Sequence, residues 1–171
     1  MSNHLLSPHF ALLEFTESAT AKKYGIDNSP SVEVVANLKG LCEHLLEPLR
    51  EELGMPVIIT SGYRCKELND IISHHANRSQ HLAGYAADFY IGRISPANGR
   101  GPTGCCPSSR ERLIKAFRQI ILRLDYDQLI LYNNFIHVSY VSPEANRHYT
   151  MVADGSGRYR RVTREVALSI I

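Results

Sequence analysis

Ser79-Gln80-His81-Leu82-Ala83-Gly84-Tyr85-Ala86-Ala87-Asp88 sets a histidine and an aspartate seven positions apart, with a glycine between them. An unbroken strand would send the two side chains to opposite faces, because side chains alternate. A helix would bring them to one face, but Gly84 and the apolar run Tyr85 to Ile91 argue for a turn followed by a strand. The stretch therefore reads as a loop that carries His81, bends back at Gly84 and delivers Asp88 on a strand. Imidazole and carboxylate are a common pair in a catalytic zinc site, which takes three protein ligands and leaves a position for water. The third ligand should be another histidine far along the chain; Phe135-Ile136-His137-Val138-Ser139-Tyr140 offers one, although His137 taken alone reads as a structural histidine. In an extended conformation Ile136, Val138 and Tyr140 share one face of that segment, and Phe135, His137 and Ser139 share the other.

Outward from this centre, Val57-Ile58-Ile59-Thr60-Ser61 is a β-branched run that reads as a buried strand ended by Gly62. Cys65 to Ser73 reads as a short helix with Leu68, Ile71 and Ile72 inward. Leu5 to Leu13 reads as an arm whose Phe10, Leu12 and Leu13 pack on the core. Thr16 to Lys23 reads as a short helix stopped by Gly25. Asn28-Ser29-Pro30 predicts a helix start, with Ser29 as the cap and Pro30 at the first helical position. The stripe Val34, Leu38, Leu41, Leu45, Leu49 and Leu53 has the three-to-four spacing of a core-facing helix, which Pro48 should kink or split. Downstream, Gly92 to Ser109 is rich in glycine and proline and reads as a loop. Ser108-Ser109-Arg110-Glu111 matches a capping box and opens a helix with Leu113, Phe117, Ile120 and Leu124 on one side. Gln128 to Tyr132 and Phe135 to Val141 read as strands joined through Asn133-Asn134, and Asp154 to Gly157 as a turn between strands near Thr150–Ala153 and Tyr159–Val162. With no βαβ rhythm and with hairpins at the end, the expected fold class is α+β: an antiparallel sheet with helices packed on it.

The 171 residues suit one domain, 1–171, with a substantial core. A net charge of +2 is too small to argue for a nucleic-acid partner. No apolar run approaches a membrane span, and Met1 to Leu6 lacks the basic and apolar regions of a secretory signal. Cys42, Cys65, Cys105 and Cys106 make no CxxC pair and read as free thiols of a reducing compartment. His74-His75 is an adjacent pair whose side chains diverge, so both read as exposed loop histidines, and His4, His9, His44 and His148 carry no pattern.

Ser79-x-His81-x-x-Gly84-x-Ala86-x-Asp88, preceded by Ser61-Gly62-Tyr63-Arg64 and followed by Ile136-His137-Val138-Ser139, resembles the zinc D-Ala-D-Ala carboxypeptidase family. Its relatives include vancomycin-resistance dipeptidases, L-alanyl-D-glutamate endolysins and the fold of the Hedgehog signalling domain. The resemblance runs from about Leu6 to about Arg147, and its small single-domain branch begins much like Ser7-Pro8-His9-Phe10. It implies a Hedgehog-like, DD-peptidase-like fold and Zn2+ held by His81, Asp88 and His137. It also implies hydrolysis of a peptidoglycan stem peptide, at a D-Ala-D-Ala end or an L-Ala–D-Glu bond. Arg64 would bind the substrate carboxylate or the developing oxyanion through its forked donors, although a structural ion pair would also suit it. Ser79 would donate to substrate or brace the loop. Relatives place an acidic general base a few positions before the last histidine, commonly three; here Asn134 stands there. The nearest acids are Asp125 and Asp127, and Asp127 is the candidate for the missing base. Two other classes fit the same residues: a zinc-containing wall-binding module that does not cleave, and a protein-interaction module. Without a visible signal, an enzyme would reach the wall on lysis or act on cytoplasmic wall fragments.

Overall fold

The computed structural model describes residues 4–73, 77–92, 109–154 and 158–170. The His74-His75 pair, Cys105, Cys106, the bulk of the predicted Gly92–Ser109 loop, the Ser108 cap and most of the Asp154–Gly157 turn lie outside them.

The apolar stripe builds the central helical layer. Val34, Leu38 and Leu41 are buried on α3 (Val32–Leu41), Leu45 on the segment after it, and Leu49 and Leu53 on α4 (Glu47–Leu53). Pro48 acts here, but through the turn before it. Cys42–Leu46 widens into a π-helical turn, and the Glu47 amide donates to the Cys42 carbonyl. A proline has no N–H and its ring clashes with the carbonyl one turn back, so a wider turn is the conformation that tolerates it without breaking the helix. The start of α3 differs from the sequence expectation. Ser31, not Ser29, is the cap, accepting from the Val34 amide at 3.3 Å. Asp27 holds Ser29 through its amide at 2.9 Å and its hydroxyl at 2.6 Å. Asn28 is buried and ties three segments together, donating to the Thr16 and Tyr63 carbonyls and accepting from the Cys65 amide.

The N-terminal arm is a small hairpin, β1 (Leu5–Ser7) and β2 (Phe10–Ala11), running into α1 (Leu12–Thr16) and α2 (Ala19–Tyr24). Phe10 is buried as expected, but Leu13 is exposed. Gly25 ends α2 in the left-handed region, φ 66°. The main sheet has six strands in the order β3 (Val57–Ser61), β4 (Ala86–Ile91), β6 (Ile136–Ser139), β5 (Gln128–Leu131), β7 (Tyr149–Ala153) and β8 (Tyr159–Val162). The class is α+β. Four of its five neighbouring pairs are antiparallel, and β5–β7 is parallel. β3 lies at the edge, so only Val57 of that run is buried. On α5 (Lys66–Ile72), Leu68 is buried while Ile71 and Ile72 are exposed. One sheet face carries Ala87, Phe89, Ile91, Leu129, Leu131, Ile136 and Val138 into the core against α3, α4 and α6 (Ser109–Arg123), whose Leu113, Phe117 and Ile120 are buried. A C-terminal helix, α7 (Arg164–Ile170), adds the buried Ala167. The opposite sheet face carries Asp88 and His137, with Ile130 beside them. No helix of the described residues is long and apolar enough to cross a membrane.

Candidate metal centre

Strand register brings the first two groups together. Asp88 on β4 stands directly opposite His137 on β6, and opposite Ser61 on β3. Directly opposed residues in antiparallel strands have Cβ atoms about 4.5–5.5 Å apart, so their side chains meet on the free face. His81 arrives from a 3-10 turn, Gln80–Ala83, that ends at Gly84 with φ 74°. A Cβ there would lie 2.8 Å from the Val34 carbonyl oxygen, so both the backbone angle and the close approach to α3 call for glycine. Asn37 on α3 donates to the Ala83 carbonyl at 2.9 Å and holds the turn down.

Three lone-pair atoms converge. His137 Nδ1 lies 2.8 Å from Asp88 Oδ1 and 3.2 Å from His81 Nε2, and His81 Nε2 lies 3.4 Å from Asp88 Oδ1. Bonds of about 2.0–2.1 Å to a tetrahedral metal imply ligand–ligand edges of about 3.3 Å, so the triangle already has the dimensions of one face of such a site. Among the described residues this is the one group of three or more His, Cys, Asp or Glu side chains that could hold a metal ion. The second nitrogen of His81 fixes its tautomer: Nδ1–H donates to the Gly62 carbonyl at 2.6 Å, which leaves Nε2 as the free lone pair. Burial pushes the His81 imidazole below its ordinary pKa, against the pull of Asp88, and so favours the neutral ligand form. Burial alone would raise Asp88, but the two histidines hold it well below the usual carboxylate range. Gly62 is required where it stands, since a Cβ would come within 2.7 Å of Phe15 Cα.

Arg64 is nearly buried and spends a donor from each guanidinium nitrogen inside the protein. Nε donates to Ser61 Oγ at 2.9 Å, one terminal nitrogen to Ser73 Oγ at 3.0 Å, and the other to Asp88 Oδ2 at 2.7 Å. Asp88 is thereby divided: Oδ1 faces the histidines and Oδ2 faces Arg64. Two of the five guanidinium N–H groups remain for anything else. Ser79 is half-buried on the wall of a cleft of ≈ 730 Å³ that also exposes Arg64, His81, Asp88 and His137.

The acid candidate is otherwise engaged. Asp127 is buried and accepts from the Arg147 amide at 3.0 Å, from Arg147 Nε at 2.7 Å and from Gln80 Nε2 at 2.8 Å, so both of its oxygens are bound. It does not line the cleft. With Asp125, which accepts from Asn146 at 2.8 Å, it fastens the connection that carries the chain from β6 past β5 into β7. Asn134 is exposed at the β5–β6 turn and does not line the cleft either. Among the side chains that this hairpin turns into the cleft beside the candidate ligands is Tyr132, which shares the face of Ile130 and His137 and stacks on Phe135 at 4.3 Å. Sequence reasoning did not single out Tyr132, Gln80, Arg78 or Arg147. Period-two alternation across the hairpin carries the signal for Tyr132, whereas nothing local points to the other three. The remaining described histidines stand apart: His4 is exposed on the N-terminal arm, His9 pairs with Glu47, His44 stacks on Tyr140 and His148 pairs with Asp125.

A family model described as Peptidase M15 matches residues 8–98. The match covers just over half of the chain, includes Arg64, His81 and Asp88, and stops before His137. A comparison with curated proteins returned no match.

Proposed function

The chain belongs to the peptidase M15 family, and on that premise we propose that it is a zinc metallopeptidase hydrolysing peptidoglycan stem peptides, at a D-Ala-D-Ala end or an L-Ala–D-Glu bond. The observation that carries this reading is the triangle of His81 Nε2, Asp88 Oδ1 and His137 Nδ1 at tetrahedral spacing on the floor of an open cleft. Zinc bound there supplies Lewis acidity, which polarises a carbonyl and makes water nucleophilic near neutral pH. The chain's own residues do the rest. The Gly62 carbonyl keeps the His81 lone pair aimed inward, and Arg64 orients Asp88 through Oδ2. The two uncommitted N–H groups of Arg64 are available to a developing oxyanion, and Ser79 to a substrate carbonyl or amide.

A second reading, a wall-binding module that does not cleave, is favoured by one observation: among the described residues Asp88 is the sole carboxylate on the cleft wall. General-base assistance is worth about a hundred- to ten-thousand-fold in rate, so turnover without it is slow. Incubating the purified protein with defined muropeptides, with and without zinc, and weighing the products decides between the two. The proposal expects zinc-dependent product with a mass that identifies the bond. Binding of stem peptide with no product after long incubation would overturn it in favour of the binding module.

A further inference from the structure

The charges around the cleft do not cancel. Arg64 is paired with Asp88, and Arg147 with Asp127. Arg78 also lines the cleft; it is exposed and, among the described residues, makes no hydrogen bond or ion pair. It stands three residues before His81, which limits their Cα separation to about 11 Å. Among the described residues Asp88 is the sole acid on the wall, and it is already shared between Arg64 and the histidines. The cleft therefore holds one uncompensated fork of donors close to the ligand triangle, and any cation bound by the triangle adds to that positive field.

We infer that Arg78 is a specificity-determining residue whose guanidinium receives a carboxylate carried by the leaving residue of the substrate. The inference rests on the peptidase reading. In either bond considered, the leaving residue bears a carboxylate on the carbon next to the scissile amide nitrogen. A planar guanidinium accommodates that group with two parallel hydrogen bonds. Arg64 is poorly placed for the same task, because one donor from each of its nitrogens is committed to Ser61, Ser73 and Asp88. The two arginines thus divide the work: Arg64 holds the metal-facing carboxylate of the protein, and Arg78 holds the carboxylate of the substrate.

The test uses the 171-residue chain after chelation, so that a metal offers no rival carboxylate site, with N-acetyl-D-alanine and N-acetyl-D-alaninamide as probes. Binding is followed by calorimetry and by the NMR signal of the Arg78 side chain. The wild type should bind the acid about tenfold or more tightly than the amide, the scale of a lost charge-assisted hydrogen bond. Arg78→Gln should remove that preference, and Arg78→Lys should restore part of it. Arg78→Gln should leave the circular dichroism spectrum and the zinc content of the loaded protein unchanged, since Arg78 has no partner among the described residues. Equal binding of acid and amide by the wild type, or an undiminished preference in Arg78→Gln, overturns the inference even if zinc-loaded protein cleaves muropeptides. Preference for the acid in a protein that cleaves no muropeptide leaves Arg78 as a carboxylate site and removes the peptidase reading instead.

Discussion

Arg64 illustrates how a single side chain changes meaning once its partners are known. The family resemblance of Ser61-Gly62-Tyr63-Arg64 implies for Arg64 a role on the substrate, with a structural ion pair as the alternative; its 2.7 Å hydrogen bond to Asp88 Oδ2 makes it a support of a candidate metal ligand. Partners that orient metal ligands are typically worth about 10–100-fold in affinity. Arg64→Ala should therefore weaken zinc binding by about that factor in a chelator competition, while His81→Ala abolishes stoichiometric binding. Wild-type affinity in Arg64→Ala would show that Asp88 needs no support. Asp127 makes the complementary case. Burial alone would raise its pKa, but the hydrogen bonds from Arg147 and Gln80 outweigh burial and hold the carboxyl below its ordinary value. A depressed carboxyl contributes stability that is present above its unfolded pKa and is lost as pH falls through the lower folded value. Asp127→Asn should cost about 1–3 kcal/mol at pH 7 in urea unfolding. The difference from wild type should shrink below about pH 4, near the ordinary carboxylate pKa. Its bound zinc should hold. Loss of turnover with stability intact would instead mark Asp127 as the base.

The β5–β6 hairpin shows the same point for an element. Its alternation places Tyr132 on the cleft face and leaves Asn134 in solvent at the turn. The position that the family resemblance reserves for an acid therefore points away from the ligands here. Asn134→Asp should change turnover on a cleaved muropeptide by less than about twofold, whereas a carboxylate at Tyr132→Glu faces the cleft. That variant should raise turnover by up to the hundredfold or so of general-base help. A large gain from Asn134→Asp with none from Tyr132→Glu would reverse the assignment. The long helix is a second element whose sequence signal needed its surroundings. The stripe from Val34 to Leu53 is buried throughout, yet how Pro48 is tolerated, by a π turn over Cys42–Leu46, depends on the whole layer staying packed on the sheet.

For the molecule as a whole, the candidate site joins segments that are far apart in sequence: the turn at Gln80–Ala83, β4 and β6. A metal that binds only the folded arrangement stabilises it by mass action. At a thousand times its dissociation constant, zinc should add about 4 kcal/mol, or on the order of 10 °C in Tm for a chain of this length. Chelator should reverse the shift, and His81→Ala should melt at one temperature with or without zinc. An unchanged wild-type Tm on adding zinc would argue against binding at this triangle. How much of this was legible beforehand follows from the range of each interaction. Apolar periodicity determined the stripe from Val34 to Leu53, the strand pair around Asn133-Asn134 and the burial of Leu113, Phe117 and Ile120, because alternation and helical spacing are properties of neighbouring residues. The turn at Gly84 was legible in its residue type, and the convergence of His81, Asp88 and His137 was expected from the family resemblance. The parallel pairing of β5 with β7, the shift of the α3 cap to Ser31 and the exposure of Leu13, Ile71 and Ile72 were decided only in three dimensions. So were the commitment of Arg64 to Asp88, the closure of Asp127 around Arg147 and the place of Arg78 on the cleft wall with no partner among the described residues. Which donor meets which acceptor depends on segments up to dozens of residues apart, and buried polar groups take the partners that packing brings within reach.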